Sequence, residues 1–260
     1  MSNSLSTLTK RVLFSPLDGP GRTEAVVDRI RSAIMLGIFA DGEQLPNEID
    51  LAGQFQVSPV TLRDALKVIR EEGLARTTRG RSGGTFVIAP DESNMGQFED
   101  RLSKIPALEL RDLLDWQATL NSHSANLAAS RGSAREADRL KTTIELFKSA
   151  EDAPQARRLA SRFLIEISSS ARSARLSKEI ITLQIEIAPH LMLVFRDPGV
   201  RLQTYERGLA VAFAIKSQRP SLAGERSLDL IDFINDRIIE YRHDLTHRAS
   251  NRHEGVANVA

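Results

Sequence analysis

The feature that most constrains this chain is residues 45–88, where two short helical patterns precede two β-prone runs around a glycine-rich turn. Asn47 and Ser58 each stand before a helical pattern, where a short polar side chain can accept a backbone N–H of the first turn. Pro59 would occupy the first helical position, where its missing N–H costs nothing. Apolar residues at helical spacing predict a buried face on the second helix: Leu62, Ala65, Leu66 and Ile69.

The outer side of the same stretch is basic and carries hydroxyl groups. The β-prone runs flank the segment Arg79–Gly84 and predict a hairpin with arginines at its tip. Such a helix fits the major groove of duplex DNA, and such arginines meet phosphate or a minor-groove edge. The expected DNA-binding residues are Ser58, Thr61, Arg63, Lys67, Arg79, Gly80 and Arg81. The alternative is an ordinary helix pair with a solvated charged face, because short helix pairs are common.

The motifs LPNEIDLAGQFQVSPVTLRDAL, EEGL and RGRSGGTFV resemble the winged helix-turn-helix of GntR-type bacterial transcription regulators, over roughly residues 22–90. The resemblance implies three helices, a basic hairpin called the wing, and a double-stranded DNA operator as partner. Ile49 and Pro59 stand where the family usually has arginines that face DNA. The family residues are kept at Arg63, Arg79 and Gly80. We therefore expect DNA contacts that are fewer than, or different from, those usual in the family.

Composition requires that DNA binding depend on a local patch, because the net charge of the whole chain is only +1. The run RTTRGR at 76–81 contains three arginines and no acid. The absence of cysteine excludes disulfides, thiolate metal sites and cysteine nucleophiles. No secretory signal pattern and no apolar run of about 20 residues is present, so we expect a cytoplasmic protein without a membrane partner.

The sequence pattern divides the chain into five segments. From residue 99 strand signals vanish and helical periodicity dominates, which predicts six or seven helices. The predicted fold is mainly α, with an N-terminal winged helix-turn-helix domain and a C-terminal all-α helical bundle. The segments are a mobile arm at 1–20, whose Lys10 and Arg11 could reach DNA, the winged domain at 21–89, a linker at 90–98, the bundle at 99–245 and a flexible tail at 246–260.

The bundle resembles the FCD-type effector domain of the FadR subfamily in LRDLL at 110–114, LAASR at 127–131 and RFLIEISSSARSARL at 162–176. The resemblance implies a homodimer and a small effector held by a divalent metal on one Asp and three His. The corresponding positions here are Ala160, Leu164 and, approximately, Gly208 and Leu230, none of which can bind a metal. Gln117 and Asn121 replace an Arg and a Glu of the family's first bundle helix. We therefore predict no metal, no cofactor and a more apolar pocket.

Four residues of the predicted bundle helices are candidates for an effector pocket: His123, Arg162, His190 and Arg207. A structural histidine and a solvent-facing arginine are the alternatives. His243 and His247 have the i, i+4 spacing that can hold a metal, but their charged neighbours favour a solvated helix end.

These observations predict a dimeric transcription regulator, usually a repressor in this family, whose effector favours one arrangement of the DNA-binding domains. An effector-independent dimeric DNA-binding protein with a degenerate pocket is the alternative. A helical enzyme is the other rival, but no paired-carboxylate, Ser-His-Asp or phosphate-loop arrangement supports one, and we expect no enzyme.

Overall fold

The computed structural model describes residues 22–39, 41–80 and 83–257, with side chains described as far as residue 248. It divides into two compact units, and the division falls between Asp91 and Glu92. The predicted arm at 1–20 and the predicted DNA contact Arg81 lie outside the described residues. We call the two parts the N-terminal unit and the helical unit.

Within its described residues, the N-terminal unit contains three helices and a two-stranded antiparallel sheet. The elements are α1 (Arg22–Met35), α2 (Glu48–Phe55), α3 (Pro59–Glu71), β1 (Ala75–Thr78) and β2 (Gly84–Val87). In the sheet Ala75 lies opposite Val87, and Thr78 lies opposite Gly84. These elements confirm the predicted winged helix-turn-helix.

Local capping starts both helices of the turn as predicted. The Asn47 side chain accepts the Asp50 N–H at 2.9 Å, and Ser58 Oγ accepts the Thr61 N–H at 3.1 Å. Gln56, between the helices, is in the left-handed region with φ of 54°. The four apolar residues predicted on the inner face of α3 are all buried. Helix α1 packs against α3 and is tied to its end by Arg31, whose Nε donates to Glu72 Oε2 at 2.9 Å.

The helical unit contains seven α-helices within the described residues, in agreement with the prediction of six or seven. They follow a short 3₁₀ turn at Glu92–Asn94. The helices are α4 (Met95–Lys104), α5 (Ala107–Arg131), α6 (Ala134–Lys148), α7 (Ala153–Ser170), α8 (Ala174–Val194), α9 (Pro198–Lys216) and α10 (Pro220–Ala257). Across the described ranges, no helix is both long enough and apolar enough to span a bilayer.

Two predicted boundaries were wrong because polar sequence was interpreted as irregular structure. The predicted linker at 90–98 contains the start of α4, since Met95 and Leu102 share a buried face. The predicted flexible tail from residue 246 is helical as far as Ala257. No proline or glycine interrupts that polar segment before Gly255, and polarity by itself does not break a helix.

Hydrogen bonds define how the bundle helices pair. Asn235 of α10 donates to the Leu114 carbonyl at 3.1 Å, and Ser122 of α5 donates to the Gly224 carbonyl at 3.0 Å. The early part of α5 therefore meets the later part of α10, and the two helices are antiparallel. Helices α7 and α8 form a second antiparallel pair, joined near their connection by Ser177 Oγ donating to the Ser168 carbonyl at 3.0 Å.

Candidate DNA-binding surface and clefts of the helical unit

The first turn of α3 carries two neighbouring hydroxyl groups at the N-terminus of the helix. Ser58 is exposed, and its hydroxyl lies 2.9 Å from that of Thr61. The Thr61 hydroxyl is therefore held against the cap, and its side chain is only partly exposed. The positive end of the helix dipole adds to this arrangement, so the turn is suited to bind a phosphate oxygen.

Arg63 lies on the outer face of α3 and reaches back to α2. Its Nε donates to Glu48 Oε2 at 2.8 Å, and the Arg63 side chain remains 66% exposed. An exposed pair of this kind contributes about 0–1 kcal/mol, so a phosphate or base edge can displace the carboxylate. Lys67 lies one turn further along, 3.8 Å from Glu71, and both side chains are exposed.

The tip of the hairpin combines an exposed arginine with a backbone conformation that favours glycine. Arg79 and Gly80 are both exposed. Gly80 has φ of +122°, a conformation that a residue with a side chain rarely adopts. A Cβ at Gly83 would lie 2.6 Å from the Thr78 carbonyl oxygen, so the tip depends on glycine there as well.

Two large apolar side chains interrupt this polar surface. Ile49 is 80% exposed at the start of α2, next to the Glu48 that pairs with Arg63. Val60 is 64% exposed and lies one helical turn before Arg63 on α3. Reasoning from the sequence identified Ile49 only as a lost arginine, and it missed Val60.

The four residues predicted to line one effector pocket do not share a cavity. His190 lines a cleft of about 530 Å³ that residues of α4, α5 and α8 surround. His123 lines a second, more open cleft of about 890 Å³ between α5 and α10. The two histidines lie on helix faces that point to different gaps in the bundle, so an effector pocket that includes either one stays a prediction.

The two arginines of that predicted pocket are engaged with neighbours. Arg162 Nε donates to Glu166 Oε1 at 3.0 Å. Arg207 stacks on the Phe233 ring with its guanidinium carbon 4.2 Å from the centroid, and it lies 3.5 Å from Asp229. Neither arginine lines the two clefts described above.

The positions that hold the metal in the resembled domain are apolar or small here. Ala160, Leu164 and Leu230 are all at least 95% buried. A Cβ at Gly208 would lie 2.5 Å from Ile144 Cδ1, so a larger residue there would displace the core. Within the described residues, no group of three or more His, Asp or Glu side chains is arranged to hold a metal ion.

The interior of the helical unit contains a polar set that was only partly anticipated from the sequence. Its members are Gln117 and Asn121 of α5, Ser161 of α7 and Gln184 of α8, each no more than 1% exposed. The described structure gives no hydrogen-bond partner to either side-chain polar atom of Gln117 and Gln184, to Asn121 Oδ1 or to Ser161 Oγ. Helices α5, α7 and α8 contact one another. Buried polar atoms are normally paired, so this set is suited to a ligand or to ordered water.

Comparison with known proteins agrees with this geometry. The sequence profile described as bacterial regulatory proteins, gntR family, matches residues 22–87. The chain is 39% identical over 175 residues to the putative HTH-type transcriptional regulator RmpR of Mycobacterium gastri, covering 67% of this chain and 64% of that protein. It is 31% identical over 114 residues to the Glc operon transcriptional activator of Escherichia coli, covering 42% of each chain. The matched stretch is thus less than two thirds of either relative.

Among solved structures, E. coli McbR/YncC covers 87% of this chain and 99% of its own, with a TM-score of 0.52 and 14% identity. That similarity supports the fold alone. The matched family and the relatives are regulators of transcription rather than enzymes. Residues 22–87 of the N-terminal unit match the gntR family of bacterial regulatory proteins.

Proposed function

We propose that this chain is a sequence-specific DNA-binding regulator of transcription that acts as a homodimer. The observation that carries the proposal is the surface at the start of α3, where a capped helix end, Arg63 and the wing occur in a gntR-family domain. A two-fold dimer would bind a pseudo-palindromic operator whose half-site spacing follows its own symmetry. Repression through operator occupancy is our proposal for the sign of regulation.

Each basic group of the surface has a separate role in this proposal. Ser58 and the first turn of α3 bind a phosphate, because the Ser58 hydroxyl is exposed at the positive end of the helix dipole. Arg63 leaves Glu48 and donates to a guanine edge. Lys67, Arg79 and the backbone at Gly80 contact the flanking phosphates, so affinity falls steeply as salt rises.

The apolar residues on the same surface change what the operator can contain. Ile49 and Val60 cannot donate to a guanine, but their exposed alkyl groups can contact the C5-methyl group of thymine in the major groove. Ile49 follows Glu48, which pairs with Arg63, and Val60 lies one helical turn before Arg63. We therefore expect thymines in the half-site near the guanine that Arg63 reads.

The interior polar set favours a metabolite-sensing regulator over an effector-independent one. The unpaired atoms of Gln117, Gln184 and Asn121 provide both hydrogen-bond donors and acceptors. These three side chains and that of Ser161 carry no formal charge. A small polar effector would satisfy them without a metal. A thermal-shift screen of neutral metabolites tests this, and a melting temperature unchanged by every compound would favour the effector-independent alternative.

The primary test is selection of bound chromosomal fragments at low ionic strength, followed by gel-shift titration of the selected operator. Arg63→Ala should weaken binding by about 5- to 150-fold and relax preference at one base pair, which corresponds to about 1–3 kcal/mol. Arg135→Ala, which removes the same charge from an exposed site on the helical unit, is the matched control. Equal affinity of wild type and Arg63→Ala would reject the role of Arg63. Failure to enrich any fragment would reject the function.

A further inference from the structure

The cleft that contains His190 has chemistry of its own. One wall is a stripe of α5 with Glu109, Asp112 and Trp116, spaced so that all three lie on one helix face. The facing wall is a stripe of α8 with Glu179, Glu186 and, at its end, His190. The space between them, about 530 Å³, is within the range of small-molecule sites.

The walls of the cleft are strongly acidic. Four carboxylates line it, at Glu109, Asp112, Glu179 and Glu186, and Arg101 is the one lysine or arginine among its lining residues. The lining residues therefore carry a formal excess of three negative charges, and burial raises the pKa of the Glu186 carboxyl among them. In the part of the chain that the structure describes, no ion pair within 4.0 Å joins any of these carboxylates to a basic side chain.

A buried, unpartnered nitrogen lies at one side of this acidic space. His190 is 1% exposed, and its Nδ1 has no hydrogen-bond partner in the described structure. Burial, and then the positive charge of Arg101, lower the His190 pKa from 6.5 to about 4. The ring is therefore neutral at neutral pH, and with its proton on Nε2 the Nδ1 atom can accept a hydrogen bond from an ammonium group.

Trp116 adds an aromatic face. It is 49% exposed, and it lines the same cleft as the carboxylates. A cation over an indole ring gains about 0.5–1 kcal/mol at exposed sites. Leu113 and Ile105 line the cleft beside it and can cover an alkyl chain.

From these observations we infer that the cleft between α4, α5 and α8 binds a small organic cation, with its ammonium group among the carboxylates and His190 Nδ1 and its alkyl part against Trp116. A carboxylate ligand is excluded by repulsion from the walls. A divalent metal is disfavoured, because the acidic groups of the described chain do not converge in a metal-binding arrangement. The inference does not rest on DNA binding, and it concerns a space separate from the fully buried Gln117 and Gln184.

The chain provides its own reporter, because Trp116 is its only tryptophan. The experiment titrates the full chain with 1,5-diaminopentane and, separately, with pentylamine while tryptophan emission is recorded. We expect a saturable change with at least one of these cations, and none with 1,5-pentanediol or glutarate at the same ionic strength. No saturable change with either cation, or an equal response to the diol, would overturn the inference.

Matched variants locate the ligand. Asp112→Asn and Glu186→Gln each remove one negative charge from an exposed cleft residue. Each should weaken cation binding about fivefold, because two unscreened unit charges about 4 Å apart in water attract each other by about 1 kcal/mol. Asp115→Asn removes the same charge next to Trp116 but from the lining of the other cleft, and it should leave the affinity unchanged. Unchanged affinity in both cleft variants would place the cation elsewhere and refute the assignment. DNA affinity, measured in parallel, is a separate readout that decides the proposed function.

Discussion

Lowering the pH should destabilise the helical unit through His190 by an amount that the structure sets. The His190 ring is buried and neutral, and its pKa is lowered from 6.5 to about 4, mainly by burial. Because the folded pKa lies below the unfolded one, the unfolded chain takes up a proton first as pH falls. The stability contributed by the neutral ring is therefore complete above about pH 6.5 and is lost as pH falls to about 4.

The size of this loss follows from the shift. Each pKa unit corresponds to about 1.4 kcal/mol, so the neutral ring accounts for about 3 kcal/mol between pH 7 and pH 4. His190→Gln keeps a neutral polar side chain at the site and cannot titrate. We therefore expect the stability of the wild type relative to the variant to fall by about 3 kcal/mol over this range.

The assay is urea unfolding of wild type and His190→Gln at several pH values, followed by Trp116 emission. Trp116 lies in the same cleft as His190, so its signal reports on the helical unit. Comparison of the two proteins cancels the titration of all other groups. A difference in unfolding free energy that stays constant from pH 7 to pH 4 would refute the buried, neutral state of His190.

Three further predictions concern the core and the DNA surface. Gly208→Ala should destabilise the protein by roughly 1–3 kcal/mol, because the added Cβ would lie 2.5 Å from Ile144 Cδ1. Adding Ile144→Val to this variant should recover part of the loss, as measured by thermal unfolding. A higher melting temperature for Gly208→Ala alone than for the wild type would contradict this prediction. Glu48→Gln should tighten operator binding about two- to fivefold, because it releases Arg63 from its ion pair. Gel shift measures this affinity, with Arg63→Ala as the reference protein. No gain in affinity for Glu48→Gln would indicate that Arg63 does not contact DNA. Replacing half-site thymines by uracil should weaken binding about fourfold for each contacted methyl group, since each methyl contributes about 0.8 kcal/mol. The double variant Ile49→Ala, Val60→Ala should bind both operators equally. Equal binding of both operators by the wild type would reject thymine readout.

Much of the architecture could be predicted from the sequence because its signals are local. The caps at Asn47 and Ser58 depend on a side chain and an N–H three residues away, and both form as expected. The hairpin and the seven helices likewise follow from periodicity and from breakers within a few residues. The two wrong boundaries, at Met95 and beyond residue 246, lie where polar composition was taken for irregular structure although nothing there prevents a helix.

The sequence by itself determined the type and order of the elements and the basic character of the surface around Arg63. Only the tertiary structure decided which side chains meet, because helix faces far apart in the chain are brought together by packing. His123 and His190 thus line different clefts, while Trp116 and Glu186, on different helices, line one. The spacing of residues along one helix shows which side chains share its face. It does not show which other helix covers that face, and in this bundle that decides whether a polar group is paired, buried or open to a ligand.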